Sequence, residues 1–315
     1  MKIVFAGTPE FAVPALENII NNGYEVVGVV TQADKPQGRK GILTPPPVKT
    51  FALEKNIPVI QPLKLKDEIS LLKDLGGDIM VTCAYGQILT QEVLDLFKYG
   101  VWNIHAGLLP KYRGASPIQS CILAGETQTG VSIMKTELGL DSGDILWVQT
   151  TDILPNETYG ELSVRLSNIG AKLIVTALKT LSTGEYTLTK QAQDGVQTVR
   201  KINKENARVR FEKTACEIAC LVRAMNPAPV AWSMVSGNAV NIYAVEIVEN
   251  ETLTDEEKTA RVGEVISDSP KRGLLVRCNG GAVKLLEVQG AGGKRMKGGD
   301  FLNGRKVQKG QVFEC

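Results

Sequence analysis

Through the first half of the chain, short apolar runs alternate with amphipathic stretches. KIVFAG reads as a strand, a helix begins at Thr8-Pro9-Glu10, and EVVGVVT is a second strand. Further strands at PVI, DIMVTCA and GVWNIH are separated by helices from Val48, over 65–75 and after Thr90. This alternation predicts an α/β fold with a doubly wound, mostly parallel, Rossmann-like sheet. Ligands of such sheets collect at the carboxyl ends of the strands. Two more strand-like runs, 129–136 and 144–151, are joined by ELGLDSG, whose Gly and Asp mark a connecting loop, and a helix over 158–181 follows.

Beyond Gly184 the pattern changes. A helix over 214–224 precedes short strand-like runs at 231–235, 239–248, 262–266, 273–278 and 282–288, separated by Gly-rich turns. Many short strands predict a smaller C-terminal β-barrel of OB-like type. The expected organisation is an α/β domain over 1–184, a basic linker over 185–204 and the barrel over 205–315. Residues 198–213 hold six basic side chains against two acidic ones, and 294–309 hold six against one.

Charge enters through this distribution, because the whole chain carries only +2 from 36 basic and 34 acidic residues. That balance argues against a nonspecific nucleic-acid coat and leaves a local basic surface open. An apolar content of 43% supplies cores for two domains. The six cysteines form no CxxC pair and there is one histidine, so neither a zinc site nor a disulfide framework is indicated. Cys216 and Cys220 fall on one face of a helix, where core packing is the plain reading. The first strand starts at once, without a signal or transit segment, and no run is long enough to span a bilayer; a cytoplasmic protein with no membrane contact is expected.

Candidate chemistry centres on that histidine. His105 ends the GVWNIH strand, and no other side chain in the chain has an ordinary pKa suited to proton transfer near neutrality. By itself it reads first as a hydrogen-bonded structural residue. Asn103 lies two positions earlier, on the same side of the strand. Asp141, in the ELGLDSG loop, can return to the same pocket, where its carboxylate would favour a charged imidazolium. An amide donor and a histidine proton aimed at one point would stabilise an oxyanion. Taken singly, Asn103 also reads as a strand-end cap and Asp141 as a loop carboxylate bonding its own backbone. GTPEF replaces the GxGxxG of dinucleotide-binding proteins and puts a proline where a backbone donor is needed, which disfavours a nicotinamide enzyme. No GxSxG is present and no cysteine adjoins the histidine, so direct acyl transfer between two bound substrates is favoured.

NIHAGLLPKYRGASPIQ followed by GLDSGDI resembles the signature of the formyltetrahydrofolate-dependent formyltransferases. FAGTPEFAVPAL, VVTQADKPQGRKG, PPPVK, AYGQIL and NPAPVAW extend the resemblance over nearly the whole chain, most closely to the branch that acts on initiator methionyl-tRNA. The resemblance implies transfer of the formyl group of 10-formyltetrahydrofolate to the free α-amine of methionine esterified to that tRNA, without a metal. Asn103, His105 and Asp141 would be the catalytic set, with a protonated His105 and Asn103 holding the oxyanion and Asp141 supporting the charge. Residues Gly107, Leu108, Leu109 and Pro110 would line the folate site, with Gly107 standing where the family usually has Ser. Ile88 and Leu89 would pack on the pterin.

Residues 31–47 read as a long surface loop without regular structure, of a length that is more often functional than not. By resemblance this loop enters the tRNA acceptor stem, with Arg39 at the acceptor end and Phe11 near the aminoacyl pocket. Lys35, Arg39 and Lys40 would contact phosphates, and Arg200, Lys201, Lys204, Lys294, Arg295 and Lys297 would track the tRNA backbone. A monomer is the default. Two alternatives stay open: a formyltransferase of the same superfamily that uses a small amine, such as glycinamide ribonucleotide or an amino sugar nucleotide, and a noncatalytic RNA-binding protein. The long loop and the basic second domain speak against the former, and retention of all three catalytic positions against the latter.

Overall fold

Seven strands form one sheet in the order Ile145–Asp152, Gln128–Lys135, Val101–His105, Ile79–Cys83, Lys2–Gly7, Glu25–Val30, Val59–Ile60. The structure is a computed structural model describing residues 1–38, 41–304 and 306–314. Gln128–Lys135 is antiparallel to both of its neighbours, and the other pairings are parallel. The central strands are mainly apolar, as strands buried on both faces are, and all five residues of Ile79–Cys83 are buried. The molecule divides into two compact units. The first gathers Met1–Pro117, Gln128–Asp152 and Ser163–Arg200; the second gathers Ile118–Thr127, Ile153–Leu162 and Lys201–Cys315.

Within the first unit, the 163–183 part of helix Tyr159–Thr183 buries Ile174, Ala177, Leu178 and Leu181 at three- and four-residue spacings. Gly170 lets this helix lie against the strand that ends in His105, since a Cβ there would come within 2.8 Å of Ile104 Cγ2. Residues 31–47 are not irregular throughout. They contain an antiparallel hairpin of Lys35–Gln37 with Ile42–Thr44, on which Ile42 and Leu43 are 63% and 64% exposed. Two adjacent aliphatics left in water on a hairpin have no packing explanation of their own. The stretch 185–204 does not run free of the unit either: Thr189 bridges Ile145, and Thr198–Val199 pairs in parallel with Arg113–Gly114.

In the second unit, Ala231–Val235, Asn238–Glu249, Gly281–Gly290 and Leu274–Cys278 form an antiparallel sheet in that order, with Met296–Lys297 paired to Gly281–Gly290. Single bridges Val276 to Val265, Glu264 to Val312 and Phe313 to Val235 carry the sheet round to its first strand, giving the OB-like barrel. The expected strand at 262–266 is reduced to these bridges. Phe211 and Phe313 fill the interior with ring centroids 5.4 Å apart. Helix Ala215–Ala224 is opened by a capping box between Thr214 and Glu217. On it Cys220 is buried while Cys216 is exposed, both as free thiols. Among the described residues no helix is long and apolar enough to cross a membrane.

Candidate active site

His105 is the last residue of its strand and is 4% exposed. Its Nδ1 lies 3.6 Å from Asp141 Oδ2. Asn103, on the same side of the strand, accepts a 2.9 Å hydrogen bond on Oδ1 from Thr82 Oγ1 of the adjacent strand, which turns its amide N–H groups away from Thr82. The three residues singled out from sequence are thus gathered at the carboxyl end of one parallel strand, with Asp141 supplied by the loop over 136–144.

Backbone chemistry holds Asp141 in place. Its φ of +45° is in the left-handed region, and Oδ2 accepts a 2.7 Å hydrogen bond from the Gly114 N–H. Gly114 has φ +115° and is pressed so close to the 198–199 strand that a Cβ would sit 2.3 Å from the Val199 carbonyl oxygen. Tyr112, also left-handed at φ +57°, shares a backbone hydrogen bond with His105. Left-handed non-glycine residues cost energy and persist where their surroundings over-determine them, so two beside one imidazole mark a constructed site.

Burial pushes the His105 pKa below its ordinary value of 6.5. The Asp141 carboxylate and the Tyr112 backbone bond pull it up, and the Arg113 charge pushes it down. Desolvation is the largest of these influences and outweighs the carboxylate, so the net displacement is downward, against the imidazolium expected from the Asp141 pairing alone. Nε2 is buried and has no hydrogen-bond partner among the described residues. The Tyr112 bond thus falls on Nδ1, which carries the ring proton between the Tyr112 carbonyl and Asp141, and Nε2 presents a lone pair. A Cβ on Gly107 would come within 3.1 Å of Nε2 and 3.3 Å of Pro117 Cβ. A side chain at this position would therefore crowd that lone pair, and glycine keeps it clear.

Of the other expected positions, Gly107 is buried, and Leu108, Leu109 and Pro110 are half-buried in the loop that follows His105. Ser132, fully buried on the reversed strand, fastens this loop: its Oγ donates to the Gly107 carbonyl at 2.8 Å and accepts from the Leu109 N–H at 3.5 Å. Ile88 is 87% exposed, whereas Leu89 is packed in the core with Val4, Val30, Met80 and Tyr85, so only Ile88 offers an open apolar surface. Phe11 is half-buried, and its carbonyl accepts from Ser167 Oγ. Lys35 is exposed and donates to Gln32 Oε1. Arg39 and Lys40 lie outside the described residues. Arg200, Lys201, Lys294 and Lys297 are exposed.

Two of the expected tRNA-binding side chains are engaged with aromatic neighbours. Lys204 Nζ lies 5.6 Å from the Trp232 ring, beside Arg208 at 5.6 Å, and the Lys204 carbonyl accepts from Trp232 Nε1. Arg295 is stacked 4.3 Å from the Tyr243 ring and paired with Glu287. Ser132, Thr82, Gly114 and Gln191 were not singled out from the sequence. Their roles arise from strand register and loop closure, and an isolated Ser, Thr, Gly or Gln advertises neither. Among the described residues no cluster of three or more His, Cys, Asp or Glu is placed to hold a metal ion.

Comparison with known proteins follows the same outline. The formyl transferase family model matches residues 1–178, and the model of the formyl transferase C-terminal domain matches residues 201–306. Methionyl-tRNA formyltransferase of Neisseria meningitidis serogroup A is 43% identical over 314 residues, covering 98% of this chain and 99% of that protein. That of Geotalea uraniireducens is 40% identical over 317 residues, covering 99% and 98%. Among solved structures, an N-formyltransferase from Helicobacter canadensis in complex with folinic acid and dTDP-3-aminofucose superposes with a TM-score of 0.66 at 21% identity, over 90% of this chain and 97% of that one.

Proposed function

The chain belongs to the formyl transferase family, with methionyl-tRNA formyltransferases as full-length relatives, and we propose that the His105 site moves a formyl group from a folate donor onto the α-amine of initiator methionyl-tRNA. The observation that carries the chemistry is the buried Nε2 of His105, without a hydrogen-bond partner among the described residues and left uncrowded by Gly107, with its opposite nitrogen turned to Asp141.

The folate donor, 10-formyltetrahydrofolate, supplies the formyl carbon and the nitrogen that leaves it. His105 Nε2 accepts the proton of the methionyl nitrogen as that nitrogen attacks, and returns it to the departing nitrogen. The imidazolium formed in between is stabilised by Asp141, whose carboxylate needs no reorganisation at that moment. Asn103 donates its amide N–H to the carbonyl oxygen as it gains charge, with Thr82 fixing which way the amide faces. No side chain here is a nucleophile. Attack is direct, and the site's contribution is orientation, proton transfer and charge stabilisation. The loop over 107–110, fastened by Ser132, and exposed Ile88 are the surfaces offered to the folate. The hairpin within 31–47, with Lys35, and Phe11 are offered to the aminoacyl end. The barrel surface around Lys204, Lys294, Arg295 and Lys297 is offered to the tRNA backbone.

Formyl transfer from labelled 10-formyltetrahydrofolate is to be measured in parallel on charged initiator tRNA, charged elongator methionyl-tRNA and glycinamide ribonucleotide. Turnover on initiator tRNA is expected, and turnover on glycinamide ribonucleotide alone would overturn the reading. His105→Ala and Asp141→Ala are expected to abolish transfer while tRNA binding persists.

A further inference from the structure

Between Leu181 and Val199 the chain is almost wholly exposed, and the one residue it buries is polar. Gln191 is 7% exposed, whereas residues 192–198 all face water. A stretch that needed only an anchor on an apolar surface would use an aliphatic side chain. A buried glutamine is retained where its amide has specific partners, because burial without them costs about 1–3 kcal/mol.

Those partners are complete. Gln191 Oε1 accepts from Arg113 Nε at 3.0 Å and from Arg113 Nη2 at 2.7 Å. Gln191 Nε2 donates to the carbonyl of Asp141 at 2.8 Å and to that of Gly143 at 2.7 Å. One amide thus spans two carbonyls two residues apart, on either side of Ser142, and fixes the segment in which Asp141 adopts its left-handed φ. The other wall of this segment is rigid too, since a Cβ on Gly143 would come within 1.9 Å of the Lys135 carbonyl. Asp141 is thus held beside His105 at both ends, its backbone by Gln191 and its carboxylate by Gly114 N–H.

We infer that Gln191 is a positioning residue for formyl transfer, acting through Asp141 by clamping the 141–143 backbone so that the carboxylate stays beside His105 Nδ1. The same amide holds the Arg113 guanidinium, so one side chain sets the places of both charged groups that face the imidazole. Gln191 need touch no substrate. The turnover part of this inference rests on the formyl-transfer reading, and the titration part does not.

His105 is the sole histidine, so ¹⁵N-histidine NMR reads its titration without assignment ambiguity. Gln191→Met keeps the volume and removes all four hydrogen bonds. It is to be compared with wild type, Asp141→Asn and the double variant. Asp141→Asn is expected to lower the His105 pKa by removing the carboxylate that raises it. Gln191→Met is expected to lower it in the same direction, and by much less once Asp141 is already Asn, which is the coupling a double-mutant cycle isolates. The kcat for formyl transfer should fall about 10- to 100-fold with KM for both substrates unchanged, as for a misplaced catalytic group. Gln191→Glu keeps an oxygen for Arg113 and so preserves the anchor, but sets an acceptor against two carbonyls; it should show the same loss of kcat with the fold intact. An unchanged titration in Gln191→Met, an equal shift in both backgrounds, or wild-type kcat in a folded Gln191→Glu would overturn the assignment. A wild-type protein that fails to transfer formyl to tRNA, with the coupling still seen, would overturn the functional reading and leave the positioning role standing.

Discussion

Gly114→Ala is the sharpest small perturbation of this site, because one added methyl group acts on both the scaffold and the Asp141 carboxylate that the proposal makes catalytic. Gly114 has φ +115°, where an L side chain is strained by about 1–3 kcal/mol. Its new Cβ would stand 2.3 Å from the Val199 oxygen, and ordinary van der Waals separation begins at 3.4 Å. That oxygen must retreat by the difference, 1.1 Å. It currently accepts a 3.1 Å bond from the Ala115 N–H, which the retreat breaks at a cost of about 0.5–1.5 kcal/mol. Together these terms destabilise the first unit by about 1.5–4.5 kcal/mol, at roughly 2–4 °C in Tm for each kcal/mol.

The functional effect comes from the other side of the same residue. Gly114 N–H holds Asp141 Oδ2 at 2.7 Å, a bond to a charged acceptor that contributes about 1.5–3 kcal/mol. If that contribution is felt in the transition state, its loss slows transfer by about 10- to 150-fold. Single-turnover transfer from labelled 10-formyltetrahydrofolate to charged initiator tRNA, at a temperature where thermal melts show the variant folded, measures it directly. A variant with lowered Tm and wild-type turnover would show that the Gly114 bond does not fix Asp141 for the proposed transfer. Unchanged Tm and turnover would refute the packing argument as well.

Three further outcomes are open to direct test. The His105 ring should titrate below 6.5, because burial disfavours its charged form. The native ring then binds its proton less readily than the unfolded chain does, so its contribution to stability is present above about 6.5 and is lost as pH falls through the folded value; an NMR titration midpoint above 6.5 refutes this. Ser132→Ala leaves the Gly107 carbonyl without its 2.8 Å donor and should cost about 1–3 kcal/mol in urea unfolding, with weakened folate binding; unchanged folate affinity would remove Ser132 from the site. Lys294→Ala should reduce the slope of log Kd for tRNA against log salt by about 0.7–0.9 for each phosphate that the lysine neutralises, while Arg295→Ala should change it less because Glu287 already neutralises that guanidinium. Equal slopes in the two variants would contradict the pairing.

The elements legible from sequence are those whose periodicity is imposed by burial. The run IMVTC is apolar but for Thr82 because Ile79–Cys83 is buried on both faces, and the strand Ala231–Val235 alternates because one face lines the barrel. The hairpin within 31–47 escaped because its two strands of three residues bury little and carry Ile42 and Leu43 outward, so no apolar-in pattern marks them. The run 262–266 has strand-like composition but closes the barrel through single bridges, a consequence of ring closure that composition cannot report. In the stretch 185–204, charge and polarity suggest a tether. What ties it down is Gln191, the Thr189 bridge and the Thr198–Val199 ladder, and an isolated glutamine carries no sign of its burial.

The same distinction explains why the members of the site could be picked out while the protonation state of its centre could not. Asn103 and His105 share a strand side by virtue of spacing alone, and the ELGLDSG loop is long enough to return Asp141 to them; these are consequences of covalent geometry. Whether His105 is charged depends on the contest between Asp141 at 3.6 Å and a ring that is 4% exposed, and burial is a property of the assembled fold. Once burial wins, the roles exchange. A charged ring could only donate, whereas a neutral ring with its proton on Nδ1 presents a base at Nε2, and Asp141 acts after the proton has been taken rather than before. On the proposed mechanism, oxyanion stabilisation then falls to Asn103, whose orientation is set by Thr82 across the strand pair. The pH dependence separates these accounts: a base at His105 loses kcat/KM as pH falls below the depressed pKa, whereas a cationic donor would lose it as pH rises through that value.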